Sequence, residues 1–105
     1  ILRDKEKCDY IICLSHLGYQ YKDDKISDVK LAAQTEGIDL ILGGHTHTFL
    51  DAPVIYKNFA DKEVLINQVG WAGVWLGRVD IFFEKKRTKK WHSGKPVKVS
   101  KKTRE

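Results

Sequence analysis

The chain has no methionine, two cysteines and two prolines, and none of its apolar runs approaches the length of a membrane span. A spanning helix needs about 20 consecutive apolar residues, so we expect no transmembrane segment. Cys8 and Cys13 lie five positions apart on one predicted strand, which disfavours both a mutual disulfide and a shared metal ion. The chain starts at Ile1, no signal peptide precedes the first predicted strand, and methionine is absent, so we interpret the chain as an excised segment of a longer polypeptide.

Basic residues are concentrated at one end of the chain. The net charge is +5, and the stretch from Glu84 to Glu105 contains ten Lys or Arg against two Glu. We therefore divide the chain into a body, residues 1–84, and a basic edge strand or tail, residues 85–105. Nucleic-acid binding combines basic side chains with stacking aromatic ones, and only Trp91 interleaves with this run. A solvated polar edge is the preferred interpretation, with nucleic-acid binding as the weaker alternative.

Two apolar runs predict strands that could be buried on both faces of a sheet: Asp9–Leu14 and Ile38–Leu42. Between them, Ser27 is a candidate N-cap for a helix over Asp28–Glu36, and Gly37 is its stop signal. The core-facing positions of this helix are Val29, Ala32 and Ala33. A helix that connects two strands in this way is a crossover, so the strands are predicted to be parallel.

Downstream of the second strand the pattern changes to strands without helices. The runs Pro53–Lys57 and Val64–Val69 predict a β-hairpin. A longer strand over Val74–Glu84 alternates with a period of two, which would bury one face, including Phe83. Trp91–Ser100 predicts an edge strand protected by its lysines. The predicted fold class is α/β, a βαβ unit followed by a mainly antiparallel β segment.

Histidines follow both predicted parallel strands. His16 comes just after the first strand, and His45 and His47 come after the glycine pair that ends the second. Because the carboxyl ends of parallel strands meet at one edge of a sheet, we expect the three imidazoles to lie close together. Neutral imidazole is a good ligand for zinc and other transition metals, so the sequence predicts a metal site at this edge. The alternatives are a structural, hydrogen-bonded His16 and two loop histidines that share no task.

No acidic residue is predicted to join these histidines. Asp39 begins its strand and therefore lies at the opposite edge of the sheet. Asp51, downstream of the histidines, is either a partner that orients an imidazole N–H or a turn residue, and we favour the turn. Two metal ions about 3.5–4 Å apart need carboxylates to balance their charge, and imidazoles supply none. The chain by itself is therefore expected to hold at most one metal ion, in a partial site.

Several short motifs, spread over most of the chain, form a recognisable set. The most specific is Gly43-Gly44-His45-Thr46-His47-Thr48. The others are Ser15-His16-Leu17-Gly18, Leu31-Ala32, Asn67-Gln68-Val69-Gly70 and Leu76-Gly77-Arg78-Val79. Over roughly Cys8 to Phe83 the set resembles the calcineurin-like metallophosphoesterases, and within that superfamily it is most similar to the 5′-nucleotidase branch.

The resemblance implies both a fold and a chemistry. The fold would be part of a four-layer α/β sandwich. The reaction would be hydrolysis of phosphomonoesters, nucleotides in particular, by a hydroxide held at a dinuclear metal centre. Carried over position by position, His16 and His45 would bind one divalent ion and His47 the other. The motifs do not distinguish zinc, manganese, iron, magnesium and calcium.

Three further motifs of the resembled family are absent from the sequence: Asp-x-His, Gly-Asp and Gly-Asn-His-Glu. We therefore expect the chain to be the C-terminal half of a phosphoesterase domain, inactive alone. One helix cannot cover both faces of its sheet, so apolar surface should remain exposed, and pairing with the missing N-terminal half or self-association would cover it. The alternative is a non-catalytic metal-binding or structural module completed by another chain. Location in the periplasm or at the cell surface is implied by the resemblance alone.

Overall fold

The structure, a computed structural model, describes residues 1–84 and 90–99. In chain order the elements are β1 Ile12–Leu14, α1 Asp28–Gln34, β2 Leu40–Leu42, β3 Val54–Lys57, β4 Glu63–Asn67, β5 Trp75–Phe83 and β6 Lys90–Lys98. One sheet has the strand order β1-β2-β4-β3, and β5 pairs with β6 in a second sheet. The predicted α/β class, a βαβ unit followed by antiparallel strands, is confirmed.

The βαβ unit forms as predicted, but its strands are shorter than the apolar runs from which they were predicted. β1 and β2 are parallel, with Cys13 opposite Ile41. Ahead of β1, the Ile11 amide donates to the carboxylate of Asp39 at 2.7 Å. The amides of Asp39 and Leu40 both donate to the Ile11 carbonyl. The backbone at residue 11 is therefore held by a carboxylate and a shared carbonyl instead of a regular ladder, and the strand begins at residue 12.

Helix α1 begins where the capping signal places it and ends earlier than predicted. The Ser27 hydroxyl accepts a hydrogen bond from the Lys30 amide, as an N-cap residue does. At the other end, the Thr35 backbone is extended and its hydroxyl donates to the Leu31 carbonyl at 2.6 Å. The helix therefore stops at Gln34. The prediction that Ala33 faces the core is wrong, because Ala33 is exposed while Ala32 is fully buried.

The predicted hairpin is confirmed as antiparallel β3 and β4. Its loop is organised by Asn58, whose side-chain oxygen accepts from the amides of Ala60 and Lys62. β4 also pairs in parallel with β2, so it occupies the centre of the first sheet beside it. The antiparallel segment is thus joined to the βαβ unit through one continuous sheet.

The core lies between α1 and one face of the first sheet. Alternate residues of β2 and β4 point toward the helix. The fully buried residues of the core are Ala32 of α1, Ile41 of β2, and Val64 and Ile66 of β4. Cys13 from β1 packs against this cluster as a partly buried, free thiol. The helix-facing side of the sheet is therefore the main apolar core.

The opposite face of the first sheet is only partly covered. One ring contact joins the segment before β1 to strand β5 of the second sheet, since Tyr10 meets Phe83 edge-on at 5.8 Å. Toward the β1 edge, Ile12 is 51%, Leu14 80% and Leu42 37% exposed. Burial of β1 on both faces is therefore wrong, while the expected exposure of apolar surface is confirmed. The prediction that Phe83 is buried is also wrong, because it remains 47% exposed.

The basic end of the chain contributes strand β6, which pairs with β5 along its length in an antiparallel register. The predicted edge strand is thus present, shifted to Lys90–Lys98. Residues 85–89 and 100–105 of the predicted tail lie outside the described residues, and the division of the chain at residue 84 stays a prediction. Among the residues that the structure describes, no helix has the length and apolar character needed to cross a bilayer.

Candidate metal centre

Two of the three predicted histidines meet where the parallel strands end. His16 follows β1 and His45 follows β2, and their ring centroids lie 5.1 Å apart with the planes at 73°. Both side chains are exposed to solvent. The strand ends are aligned because the Ser15 amide donates to the Leu42 carbonyl, one step beyond the regular ladder. The parallel topology therefore brings together two imidazoles that are far apart in sequence.

Glycine at position 44 makes this approach possible. A Cβ at Gly44 would lie 3.0 Å from Nδ1 of His16, closer than side chains ordinarily tolerate. The next residue, His45, has a φ of +75°, and the Thr46 amide donates to the Gly44 carbonyl across it at 3.0 Å. This is a γ-turn, which non-glycine residues rarely occupy at positive φ. The turn gives the His45 side chain its position beside His16.

The structure does not place His47 with the other two histidines. Its ring is stacked on the exposed indole of Trp71, with centroids 5.7 Å apart and planes at 13°. The backbone φ of His47 is +54°, again in the left-handed region. His47 therefore lies on the same strand-end loop as His45, with its imidazole against a different neighbour.

The donor set of this edge is two imidazoles without a carboxylate. No group of three His, Cys, Asp or Glu side chains that could hold one metal ion occurs within residues 1–84 and 90–99. Asp39 is at the opposite edge of the sheet, as predicted, and pairs with Arg3 at 2.6 Å. A pair of neutral imidazoles fits part of the ligand set of zinc or another transition metal. The two imidazoles thus fit part of a transition-metal ligand set, and within the described residues no third His, Cys, Asp or Glu joins them.

A buried carboxyl beneath the two loops was missed from the sequence. Asp28 is fully buried, and its Oδ1 accepts a hydrogen bond from the Ser15 hydroxyl at 2.5 Å. Its Oδ2 has no hydrogen-bond partner among the described residues and lies so close to Gly43 that a Cβ there would collide with it. Burial raises the pKa of Asp28, and the hydrogen bond from Ser15 opposes that rise. The sequence signal was the four-residue spacing from Asp28 to Ala32, which puts both on one helix face.

A second missed residue is Gln68, which comes directly after β4 and is 2% exposed. Its side chain bonds to the backbone of the loop that carries His45 and His47. The signal available in the sequence was its place between an apolar strand and a glycine, within the motif Asn67-Gln68-Val69-Gly70, but the sequence did not show that the amide is buried and therefore needs hydrogen-bond partners. Both missed residues contact the histidine loops without being placed to bind a metal ion themselves.

Comparison with known proteins gives the chain a family. No family model matches it. It is 38% identical over 81% of its length to the trifunctional nucleotide phosphoesterase protein YfkN of Bacillus subtilis. It is 33% identical over 91% of its length to an apyrase of Tabanus yao. Its fold is similar to that of a 5′-nucleotidase precursor from Thermus thermophilus, with a TM-score of 0.78, 27% identity and 92% of this chain covered.

The mixed sheet, the paired strand-end histidines and these similarities define the class as a metallophosphoesterase fold. Within that class, the chain belongs to the 5′-nucleotidase family and covers part of the domain. It spans 5% of YfkN, 19% of the apyrase and 20% of the Thermus chain. The resemblance seen in the sequence motifs is therefore confirmed, for a chain much shorter than its relatives.

Proposed function

We propose that this chain supplies histidine ligands to the metal centre of a phosphoesterase that hydrolyses phosphomonoesters, nucleotides in particular. The observation that carries the proposal is the contact between His16 and His45 at the carboxyl edge of the sheet. Relatives named as nucleotide phosphoesterase, apyrase and 5′-nucleotidase support the substrate class. In this proposal His16 and His45 bind one divalent ion, and His47 binds its neighbour.

The ions, when bound, would activate water and offset the negative charge of the phosphate. The chain's own part is to hold neutral imidazoles at fixed positions on two aligned strand ends. His47 occupies the loop that carries His45, so it can serve an adjacent ion once its ring leaves Trp71. The carboxylate ligands would come from the N-terminal half of the domain, docked beside β1. Without them the chain is expected to bind metal weakly and to turn over no substrate.

Metal binding by the chain itself tests the histidine assignment. We expect Zn²⁺ or Co²⁺, added to the chain and followed by NMR of the imidazole signals, to perturb His16 and His45 together. His16→Ala and His45→Ala should each weaken binding by about tenfold or more, because each removes one of two donors. His92→Ala, a histidine on β6, is the matched control and should leave the affinity unchanged. Unchanged affinity in both His16→Ala and His45→Ala would contradict the proposal.

Activity separates an incomplete site from a complete one. We expect negligible hydrolysis of p-nitrophenyl phosphate by the chain with added Mn²⁺ or Zn²⁺. Robust turnover that disappears in His45→Ala would show that the chain needs no further ligands. The coding sequence upstream provides a second check, since Asp-x-His and Gly-Asn-His-Glu motifs there would identify the parent as an enzyme. Their absence would favour the alternative, a metal-binding or structural module completed by another chain.

A further inference from the structure

The loop that carries His45 and His47 has a backbone that needs external support. Both histidines have positive φ, at +75° and +54°, and His45 lies at the centre of a γ-turn. Residues with a Cβ rarely adopt this backbone conformation. Such residues persist when the surrounding structure fixes them. The question is therefore which groups hold the backbone from residue 44 to residue 48.

The buried carboxamide of Gln68 bonds to the loop on both sides of the γ-turn. Its Oε1 accepts from the Thr48 amide at 2.6 Å and from the Thr46 hydroxyl at 3.2 Å. Its Nε2 donates to the Gly44 carbonyl at 3.1 Å. The orientation of the amide is fixed by these partners, because the Thr48 amide can only donate and the Gly44 carbonyl can only accept. The Gln68 side chain thus links the backbone just before His45 to the backbone just after His47.

Gln68 is itself held in place by the backbone. It follows the last residue of β4, and its carbonyl accepts from the Leu50 amide at 3.0 Å. Beyond this bond the antiparallel contacts continue, since Phe49 bridges to Val69 and the Gly70 amide donates to the Thr48 carbonyl. The side chain that supports the loop therefore comes from a residue whose own backbone is fixed next to the first sheet.

The hydrogen bonds of Gln68 also extend, through Thr46, to the loop that carries His16. The Thr46 hydroxyl, which contacts Gln68, accepts a hydrogen bond from the Tyr19 amide at 2.9 Å. Tyr19 lies three residues after His16 on the segment that leaves β1. A change in the position of Thr46 would therefore shift the loop that carries His45 relative to the loop that carries His16.

We propose that Gln68 is a positioning residue for the metal centre. Its carboxamide holds residues 44–48 in the strained form that presents His45 beside His16, and in this way it sets the affinity of the imidazole pair for a divalent transition metal. This proposal rests on the proposed function for its metal and not for its effect on the loop. Groups that orient metal ligands through hydrogen bonds typically contribute about 10–100-fold to metal affinity.

Two substitutions at Gln68 and one elsewhere test the proposal. Gln68→Leu removes the donor and the acceptor, and Gln68→Glu keeps the acceptor for the Thr48 amide while losing the donor. Gln34→Leu, at an exposed position at the end of α1, is the matched control. The first readout needs no metal: the Cα and Cβ chemical shifts of His45 and His47, which report φ, and hydrogen exchange of the Thr48 amide.

In the metal-free chain, we expect Gln68→Leu to move both histidines out of the left-handed range and to increase exchange at Thr48 at least tenfold. Gln68→Glu should give smaller changes and Gln34→Leu none. With Zn²⁺ added, Gln68→Leu should bind about 10–100-fold more weakly than the unsubstituted chain. If Gln68→Leu does not fold, the result with Gln68→Glu decides.

Two results would overturn the proposal. One is a folded Gln68 variant whose histidine shifts and Thr48 exchange match the unsubstituted chain. The other is a variant with altered loop signals and unchanged metal affinity, which would make Gln68 a structural residue only. If the unsubstituted chain binds no metal at its histidines, the proposed function fails, and the metal-free readout alone decides whether Gln68 positions the loop.

Discussion

At the scale of single residues, ring contacts separate histidines that look equivalent in sequence. His45 and His47 stand two positions apart in one motif, yet one ring contacts His16 and the other stacks on Trp71. Both have positive φ, which turns the loop sharply and sends neighbouring side chains in different directions. The residue type predicts that imidazole is available, and the neighbour that each ring contacts distinguishes the two histidines.

The buried carboxyl of Asp28 should make stability depend on pH. Its pKa is raised above the ordinary value of 3.8 by burial, so the folded chain holds this proton more tightly than the unfolded chain. The resulting stabilisation is fully present below the unfolded pKa and is lost as the pH rises through the folded pKa. Asp28→Asn cannot ionise and keeps an oxygen for the Ser15 hydroxyl. We expect its free energy of unfolding to improve relative to the unsubstituted chain from about pH 4 to about pH 7.

Denaturant unfolding at several pH values measures this difference. Asp24→Asn provides the control, because Asp24 is exposed and precedes the helix. A difference between Asp28→Asn and the unsubstituted chain that does not change with pH would show that ionisation of Asp28 carries no folding cost.

At the scale of elements, the first sheet has two unequal faces. Side chains that alternate toward α1 form the buried core, while those on the other face include residues that remain partly exposed. Ile66 on β4 is fully buried, and Ile55 on the neighbouring β3 is 48% exposed. The register places Ile55 opposite Leu65, so Ile55 and Ile66 point to opposite faces. Helix docking on one face therefore accounts for most of the core.

A matched pair of isoleucine substitutions tests the inequality of the faces. Ile66→Ala should lower the free energy of unfolding by about 2–5 kcal/mol, since it removes a buried side chain and leaves a cavity. Ile55→Ala deletes the same atoms from a half-exposed site and should cost about 1 kcal/mol or less. Urea unfolding of both variants measures the difference. Equal costs would mean that both faces are buried in solution.

At the scale of the whole molecule, the chain is flatter and more extended than a complete domain. Its radius of gyration is 14.8 Å, whereas a compact domain of about 100 residues has about 13 Å. Its smallest dimension is 20 Å. Exposed apolar side chains lie along β1, which is an edge strand of its sheet in the part of the chain that the structure describes. An open strand edge with apolar residues is a surface that pairs with another chain or segment.

We therefore expect the isolated chain to self-associate through the β1 edge. Leu14→Lys, at a position that is 80% exposed, should reduce association without loss of stability, because it removes little buried area and adds a charge to the edge. Phe59→Lys is the control, since Phe59 is 79% exposed but lies in the β3–β4 loop. Sedimentation velocity over a range of concentrations measures both. A compact monomer, or equal effects of the two substitutions, would contradict a role for this edge.

Much of the fold was predictable from local sequence. Ser27 gave the start of α1, the apolar runs gave the strands, and their order along the chain gave the parallel pair. The errors lie where tertiary contacts override local pattern. β1 begins at residue 12 because the Asp39 carboxylate holds the backbone before it, and Phe83 stays exposed although its strand alternates. Neither the start of β1 nor the exposure of Phe83 has a signature within its own segment of sequence.

The sequence by itself determined the family, through motifs whose residue types and spacing are specific, and it determined that histidines would follow the parallel strands. The tertiary structure decided which of them meet and what supports them. His16 and His45 are brought together by strand alignment, the His47 ring stacks on Trp71, and Asp28 and Gln68 form hydrogen bonds to the histidine loops across the fold. The physical reason is that metal ligation depends on positions in space, and those positions are set by contacts between residues distant in the chain.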